Sequence, residues 1–96
     1  MTGPFANIDR VPTISRFFGI SIWMYHDDHG GPHFHARHAD GEAKIRIDEI
    51  EVIDSKLPRR QLRLVLAWAE LHQKELLENW QRAQGHETLN ENDPLQ

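Results

Sequence analysis

The segment from Tyr25 to His38, YHDDHGGPHFHARH, contains most of the residues in this chain that could do chemistry. Five of the seven histidines lie in it, together with the neighbouring pair Asp27 and Asp28. Imidazole and carboxylate groups at this density suit metal coordination or acid–base catalysis. The segment is therefore the candidate site, and the rest of the chain is interpreted by how it could hold these side chains.

His33 and His35 form an H-x-H pair in a segment whose apolar and polar residues alternate, as is typical of a β-strand. Because strand side chains alternate between faces, both imidazoles would lie on one face with Cα atoms about 6.5–7 Å apart. They could bind one ion of zinc, nickel or iron, for which nitrogen and oxygen ligands are suitable. The remaining ligands would come from the preceding polar loop, from Asp28 and His29 or from Asp27 and His26.

The same face supports a mechanism without metal. One neutral and one protonated imidazole could assist attack by a ribose 2′-hydroxyl on its phosphodiester, since the unperturbed histidine pKa is about 6.5. The catalytic groups would be His33, His35, Arg37 and Tyr25. Bases would stack on Trp23, and phosphates would bind Lys44 and Arg46. A third interpretation is a solvated sheet face whose histidines pair with the two aspartates and only hold the hairpin.

Hydrophobic alternation predicts the strands that position this segment. Residues 20–25 alternate as a half-buried strand, and residues 33–38 and 42–48 do the same on either side of an Asp40-Gly41 hairpin signal. Residues 50–53 could add a short fourth strand. The aliphatic side chains would form a core on one face: Ile20, Ile22, Met24, Phe34, Ala36, Ala43, Ile45 and Ile47. The opposite face would be aromatic and cationic.

Apolar residues from Pro58 to Ala83 recur at helical spacing, and Gly85 is a suitable stop. A helix of this extent would be roughly 39 Å long at about 1.5 Å per residue, longer than the strands it covers. We therefore expect it either to break near His72 or to overhang and meet a second copy as a homodimer. The predicted fold is α+β, a small antiparallel β-meander of three to four strands on one long C-terminal helix. Residues 1–11 would be a flexible extension, residues 12–84 the domain and residues 85–96 an acidic, flexible tail.

Composition excludes several classes of protein. The chain has 96 residues, a formal charge of −4 and no cysteine, so disulfides and thiolate metal ligands are ruled out. No apolar run approaches the roughly 20 residues that span a bilayer, and the N-terminus lacks a basic-then-apolar signal pattern. Together with the absence of cysteine, this fits a cytoplasmic protein without a membrane segment. The acidic balance argues against a general nucleic-acid coat.

Several blocks of the sequence resemble the bacterial family called domain of unknown function 4160. The resemblance covers roughly Val11 to Ala83, and its blocks are PTISRFFGI at 12–20, DH at 28–29, PHFHA at 32–36, LPRR at 57–60, WAELH at 68–72 and LENW at 77–80. Family members usually begin with a Met at the position of Val11, so the resemblance implies either that Met1–Arg10 is an extension or that Val11 is the true start.

The resemblance implies more about partners than about chemistry. Members of this family often stand beside a second small family, domain of unknown function 2442, in an arrangement similar to toxin–antitoxin modules. It therefore implies an RNA-directed protein with a small cognate protein partner. The alternatives are a small metal-binding domain with an H-x-H site and a non-enzymatic partner-binding module. Whether the chain is an enzyme is left open by the sequence.

Overall fold

The computed structural model describes residues 13–26 and 28–96, so the predictions for residues 1–11 and for Asp27 lie outside it. In these ranges, one antiparallel sheet has five strands in chain order, and two helices follow it. Their bounds are β1 Thr13–Phe17, β2 Ile20–Trp23, β3 His33–His38, β4 Gly41–Arg46, β5 Glu51–Ser55, α1 Arg59–Leu71 and α2 Gln73–Gln84. The α+β class with an antiparallel meander is confirmed, whereas three to four strands and a single long helix are wrong.

Strand β1 was not predicted because a bulge interrupts its alternation. The register with β2 shifts between Thr13 and Ser15, so Ile14 and Ser15 are both buried although they are neighbours in sequence. The turn to β2 passes through Phe18 and Gly19, with φ of 50° and 77°. Positive φ at both positions matches the twist of a two-residue hairpin.

The hairpin between β3 and β4 lies where the sequence places it, but its turn residues are Ala39 and Asp40. Gly41 is instead the first residue of β4. A Cβ at this position would clash with the carbonyl oxygen of Lys56, so glycine is needed for close approach of two backbones.

The core lies between the aliphatic face of the sheet and the helices. Every side chain predicted for that face is at most 3% exposed. Trp68 of α1 is fully buried, with its ring centroid 5.4 Å from that of Phe17 and 5.9 Å from that of Phe34. The periodicity of two therefore identified the core face correctly.

The predicted long helix is divided at His72, which has φ of −118° and ψ of 21°. The side-chain amide of Gln73 donates to the carbonyls of Ile47 and Asp48, each at 2.9 Å, and so ties the start of α2 to the turn that follows β4. The break redirects α2 toward the start of β3, which is one of the two outcomes expected from the helix length. Within the described ranges, no helix is long and apolar enough to cross a membrane.

Residues after α2, predicted as a flexible tail, lie against the domain. Asn79 of α2 is fully buried, and its side-chain amide donates to the carbonyl of Asn90 and to Oδ1 of Asn92, each at 2.9 Å. The backbone N–H of Asn92 donates to the carbonyl of Ile14 at 2.7 Å, which covers part of the outer edge of β1. The indole N–H of Trp68 donates to the carbonyl of Asp93 at 2.8 Å.

Candidate metal centre

Asp28, His33 and His35 converge at one end of the sheet. The carboxylate oxygen Oδ2 of Asp28 lies 2.9 Å from Nε2 of His33 and 3.2 Å from Nε2 of His35. One potential ligand atom from each of the three residues lies within 4.8 Å of the others. Among residues 13–26 and 28–96, this is the group of three whose donor atoms could hold a metal ion.

Local structure explains why these three residues meet. His33 and His35 are the first and third residues of β3, so the alternation of the strand directs both rings to one face. Asp28 is held in the preceding loop by two contacts. Its Oδ1 accepts the backbone N–H of His29 at 3.0 Å, and its carbonyl accepts the side-chain amide of Gln84, the last residue of α2, at 3.2 Å.

The hydrogen bonds of His33 indicate which of its ring nitrogens carries a hydrogen. Its Nδ1 lies 2.9 Å from the carbonyl oxygen of Gly31, which can only accept, so Nδ1 must carry a hydrogen. In a neutral ring, Nε2 would then direct a lone pair at the carboxylate of Asp28, which also only accepts when ionised. The 2.9 Å contact therefore needs a proton or a metal ion between the two atoms.

The distances are compatible with a shared ion. With ligands about 2.1 Å from a metal, adjacent ligand atoms are about 3.0 Å apart in an octahedron and about 3.4 Å apart in a tetrahedron. The two contacts of Asp28 Oδ2, at 2.9 Å and 3.2 Å, fall in or next to this range. The arrangement is thus close to two edges of a coordination polyhedron.

Electrostatics place two of these groups in their ligating forms at neutral pH. Burial acts to raise the pKa of Asp28, but the hydrogen bond with His35 and the charge of His33 outweigh it, and the pKa lies below its ordinary value. Burial lowers the pKa of His35, and repulsion by His33 and Lys44 adds to this against the opposing effect of Asp28. At pH 7, Asp28 is therefore an anion and His35 is a neutral imidazole.

Aromatic rings enclose the cluster. Trp23 stacks on His35 with centroids 5.4 Å apart and an interplanar angle of 17°, and Tyr25 meets the same imidazole edge-on at 4.9 Å. Trp80 of α2 lies 5.1 Å from the ring of His33, whose side chain is only 2% exposed. The side chains of His35 and Asp28 are 16% and 23% exposed, so solvent reaches the cluster from their side.

The other predicted site residues differ in exposure and in how close they lie to the cluster of Asp28, His33 and His35. The side chain of His29 is exposed and does not belong to the group of converging ligand atoms, although its backbone binds Asp28. Trp23 is 5% exposed, so it offers no free face to a nucleic-acid base, whereas Tyr25 is 38% exposed. Arg37 lies near the far end of β3, Lys44 is directly across from His35, and Arg46 is across from His33.

The predicted cationic face is in fact mixed in charge. Cross-strand register places Glu42 opposite Arg37, Asp54 opposite Lys44 and Glu51 opposite Arg46. Glu42 was left out of the face although it begins the predicted strand 42–48, Glu51 was missed because the predicted strand 50–53 had been given no face, and Asp54 lies beyond that strand. This distribution weakens the case for a general phosphate-binding surface.

Three contributors to the site were not predicted from the sequence: the carbonyl of Gly31, the ring of Trp80 and the amide of Gln84. Gly31 was assigned only to the turn, and Trp80 only to the apolar stripe of the helix. Nothing in local periodicity could have placed Trp80 and Gln84 here, because their position depends on the change of direction at His72.

A family model described as "Domain of unknown function (DUF4160)" matches residues 19–81, about two thirds of the chain. The matched region lies within the resemblance drawn from the sequence and includes all three residues of the cluster. No curated protein and no solved structure matches the chain significantly.

Proposed function

This chain belongs to the family described as domain of unknown function 4160, and we propose that it binds one divalent transition-metal ion. The ligands would be Asp28, His33 and His35. The supporting observation is the contact between the carboxylate of Asp28 and the Nε2 atoms of two histidines, one of which carries its hydrogen on Nδ1. Metal-binding histidines generally donate the other ring N–H to a carbonyl or carboxylate, as His33 does to Gly31.

The ligand set indicates what the ion would do. Two histidines and one carboxylate bind zinc or iron(II) in sites that keep coordination positions open for water or substrate. Such an ion polarises a bound group or lowers the pKa of bound water to about 7 in the zinc case. The aromatic surroundings and partial exposure of His35 and Asp28 support a reactive centre over a closed structural one.

Metal-free, RNA-directed catalysis is the second candidate. It is supported by the exposed phenol of Tyr25 next to a neutral His35, and it agrees with the toxin–antitoxin-like role that the family resemblance implies. However, Nδ1 of His33 donates to the carbonyl of Gly31 and its Nε2 faces the carboxylate of Asp28, so His33 is not free to act on a ribose hydroxyl and the pair of catalytic imidazoles is incomplete. The metal centre is therefore the better supported function.

Metal analysis of purified, untagged protein tests this proposal. The protein is prepared without chelator, offered zinc, nickel, iron(II) or cobalt, and desalted. We expect about one bound ion in the parent and in His38→Gln, which changes a histidine later on the same strand, and little in His35→Gln. Metal-free parent protein, or equal metal content in His35→Gln, would overturn the proposal. RNA cleavage that persists in chelator would then favour the second candidate.

A further inference from the structure

Lys44 stands next to the proposed metal centre and has no ionic partner among residues 13–26 and 28–96. It lies directly across from His35 in the register of β3 and β4, where Cβ atoms of facing residues are about 5 Å apart. Its charge contributes to the lowered pKa of His35, as expected from this proximity. Lys44 is half-buried, and it forms no ion pair within 4.0 Å in the described part of the chain, even with Asp54 opposite it.

The other cations of this face are less suitable for a role at the centre. Arg37 lies two residues beyond His35, about 7 Å further along the strand, and opposite Glu42. Arg46 lies across from His33, but its Nε is 4.0 Å from a carboxylate oxygen of Asp48. Lys44 is thus the cation that combines proximity to an exposed ligand with a free ammonium group.

The charges leave the loaded centre electropositive. The positive charges of a divalent ion and of the ammonium group of Lys44 would together exceed the single negative charge of Asp28. The neutral imidazoles would add no negative charge. Asp54 reduces this excess but does not cancel it. Aromatic rings limit hydration around the centre, and charge interactions are stronger where water is excluded. An unfilled coordination position beside a free ammonium group is a suitable site for an anion.

We propose that the metal-loaded centre binds an oxyanion, with one oxygen on the ion and another on the ammonium group of Lys44. This inference rests on the proposed metal site and adds the substrate class, a phosphate ester or a carboxylate. In such a complex Lys44 is a substrate-binding residue, because it contacts the anion directly, and Tyr25 borders the same exposed side of His35.

Anion titration of the cobalt(II)-loaded protein tests the role of Lys44. Visible absorption of bound cobalt reports a change of ligand, and inorganic phosphate and acetate represent the two anion classes at constant ionic strength. We compare the parent with Lys44→Met and with Lys74→Met, which removes the same charge from an exposed position on α2. Parent and Lys74→Met should bind at least one anion with equal affinity, and Lys44→Met should bind it roughly ten-fold or more weakly.

The outcomes separate the two proposals. If the parent takes up neither cobalt nor any other ion offered in the metal analysis, the metal site is wrong and the anion site is wrong with it. If cobalt binds but neither anion changes the spectrum, or Lys44→Met binds anion as well as the parent, only the inference about Lys44 is overturned. A preference for phosphate or for acetate identifies the substrate class.

Discussion

Replacing Asp28 by Asn should remove most of the response of the protein's thermal stability to metal. The substitution keeps the size of the side chain but removes the charge from the oxygen that lies 2.9 Å and 3.2 Å from the two imidazoles. A ligand that binds only the folded state stabilises it by about 2.7 kcal/mol when its free concentration is 100 times the dissociation constant. For a domain of this size, that corresponds to an increase of roughly 11–22 °C in Tm.

The expected loss follows from the role of the carboxylate. Changes to residues that only orient metal ligands weaken affinity by about 10–100-fold, so loss of a direct ligand should weaken it by at least about 100-fold. At the same metal concentration, the stabilisation of Asp28→Asn would then be at most about 0.4 kcal/mol, or roughly 2–3 °C.

Differential scanning fluorimetry with and without zinc or cobalt measures this response. Each variant is compared with its own metal-free Tm, which removes any change in the stability of the metal-free fold. Asp40→Asn is the matched control, because Asp40 is exposed in the turn at the opposite end of the β3–β4 hairpin. Equal metal-induced shifts in Asp28→Asn and Asp40→Asn would refute the ligand assignment, as would a parent protein whose Tm does not respond.

Three further predictions concern the scaffold. Gly41→Ala should lower the free energy of unfolding by about 1–3 kcal/mol in urea denaturation, because the new Cβ meets backbone, whereas Gly31→Ala, with open space, should change it little. Asn79→Ala should cost about 2–4 kcal/mol and speed amide exchange in residues 88–95, since its buried amide holds that segment; unchanged exchange would contradict this role. In metal-free protein, the lowered pKa of His35 means that unfolding takes up protons, so stability should decline as pH falls below about 6.5. His35→Gln should flatten that decline, and an equal slope in both proteins would count against it.

The local alternation of side chains between the two faces of a strand was sufficient to predict the part of the site that lies on β3. The positions of His33 and His35 two residues apart determine that they share a face in any strand. The same rule identified the aliphatic core face, because burial of one side of a sheet follows directly from its period of two. The rule failed for β1, where a bulge places two consecutive residues inside.

Contacts between distant segments could not be obtained from these patterns. The sequence offered several loop residues as further ligands, and only the folded loop brings Asp28 onto both histidines while the side chain of His29 is exposed. Cross-strand register likewise placed an acidic residue opposite each predicted cation. The sequence of one strand alone does not show which residues face it on the next strand.

The sequence by itself determined the α+β class, the core face and the shared orientation of His33 and His35, because these depend on local periodicity and hydrophobic burial. Only the tertiary structure decided that the helix turns at His72, that Trp80 covers His33 and that Asn79 binds the C-terminal segment. These features depend on how a helical segment longer than the strands packs on the sheet. They also depend on which buried polar groups form hydrogen bonds with residues distant in the sequence. The same tertiary packing decides the site, since the third ligand and the neighbouring Lys44 come from outside the strand that carries the histidines.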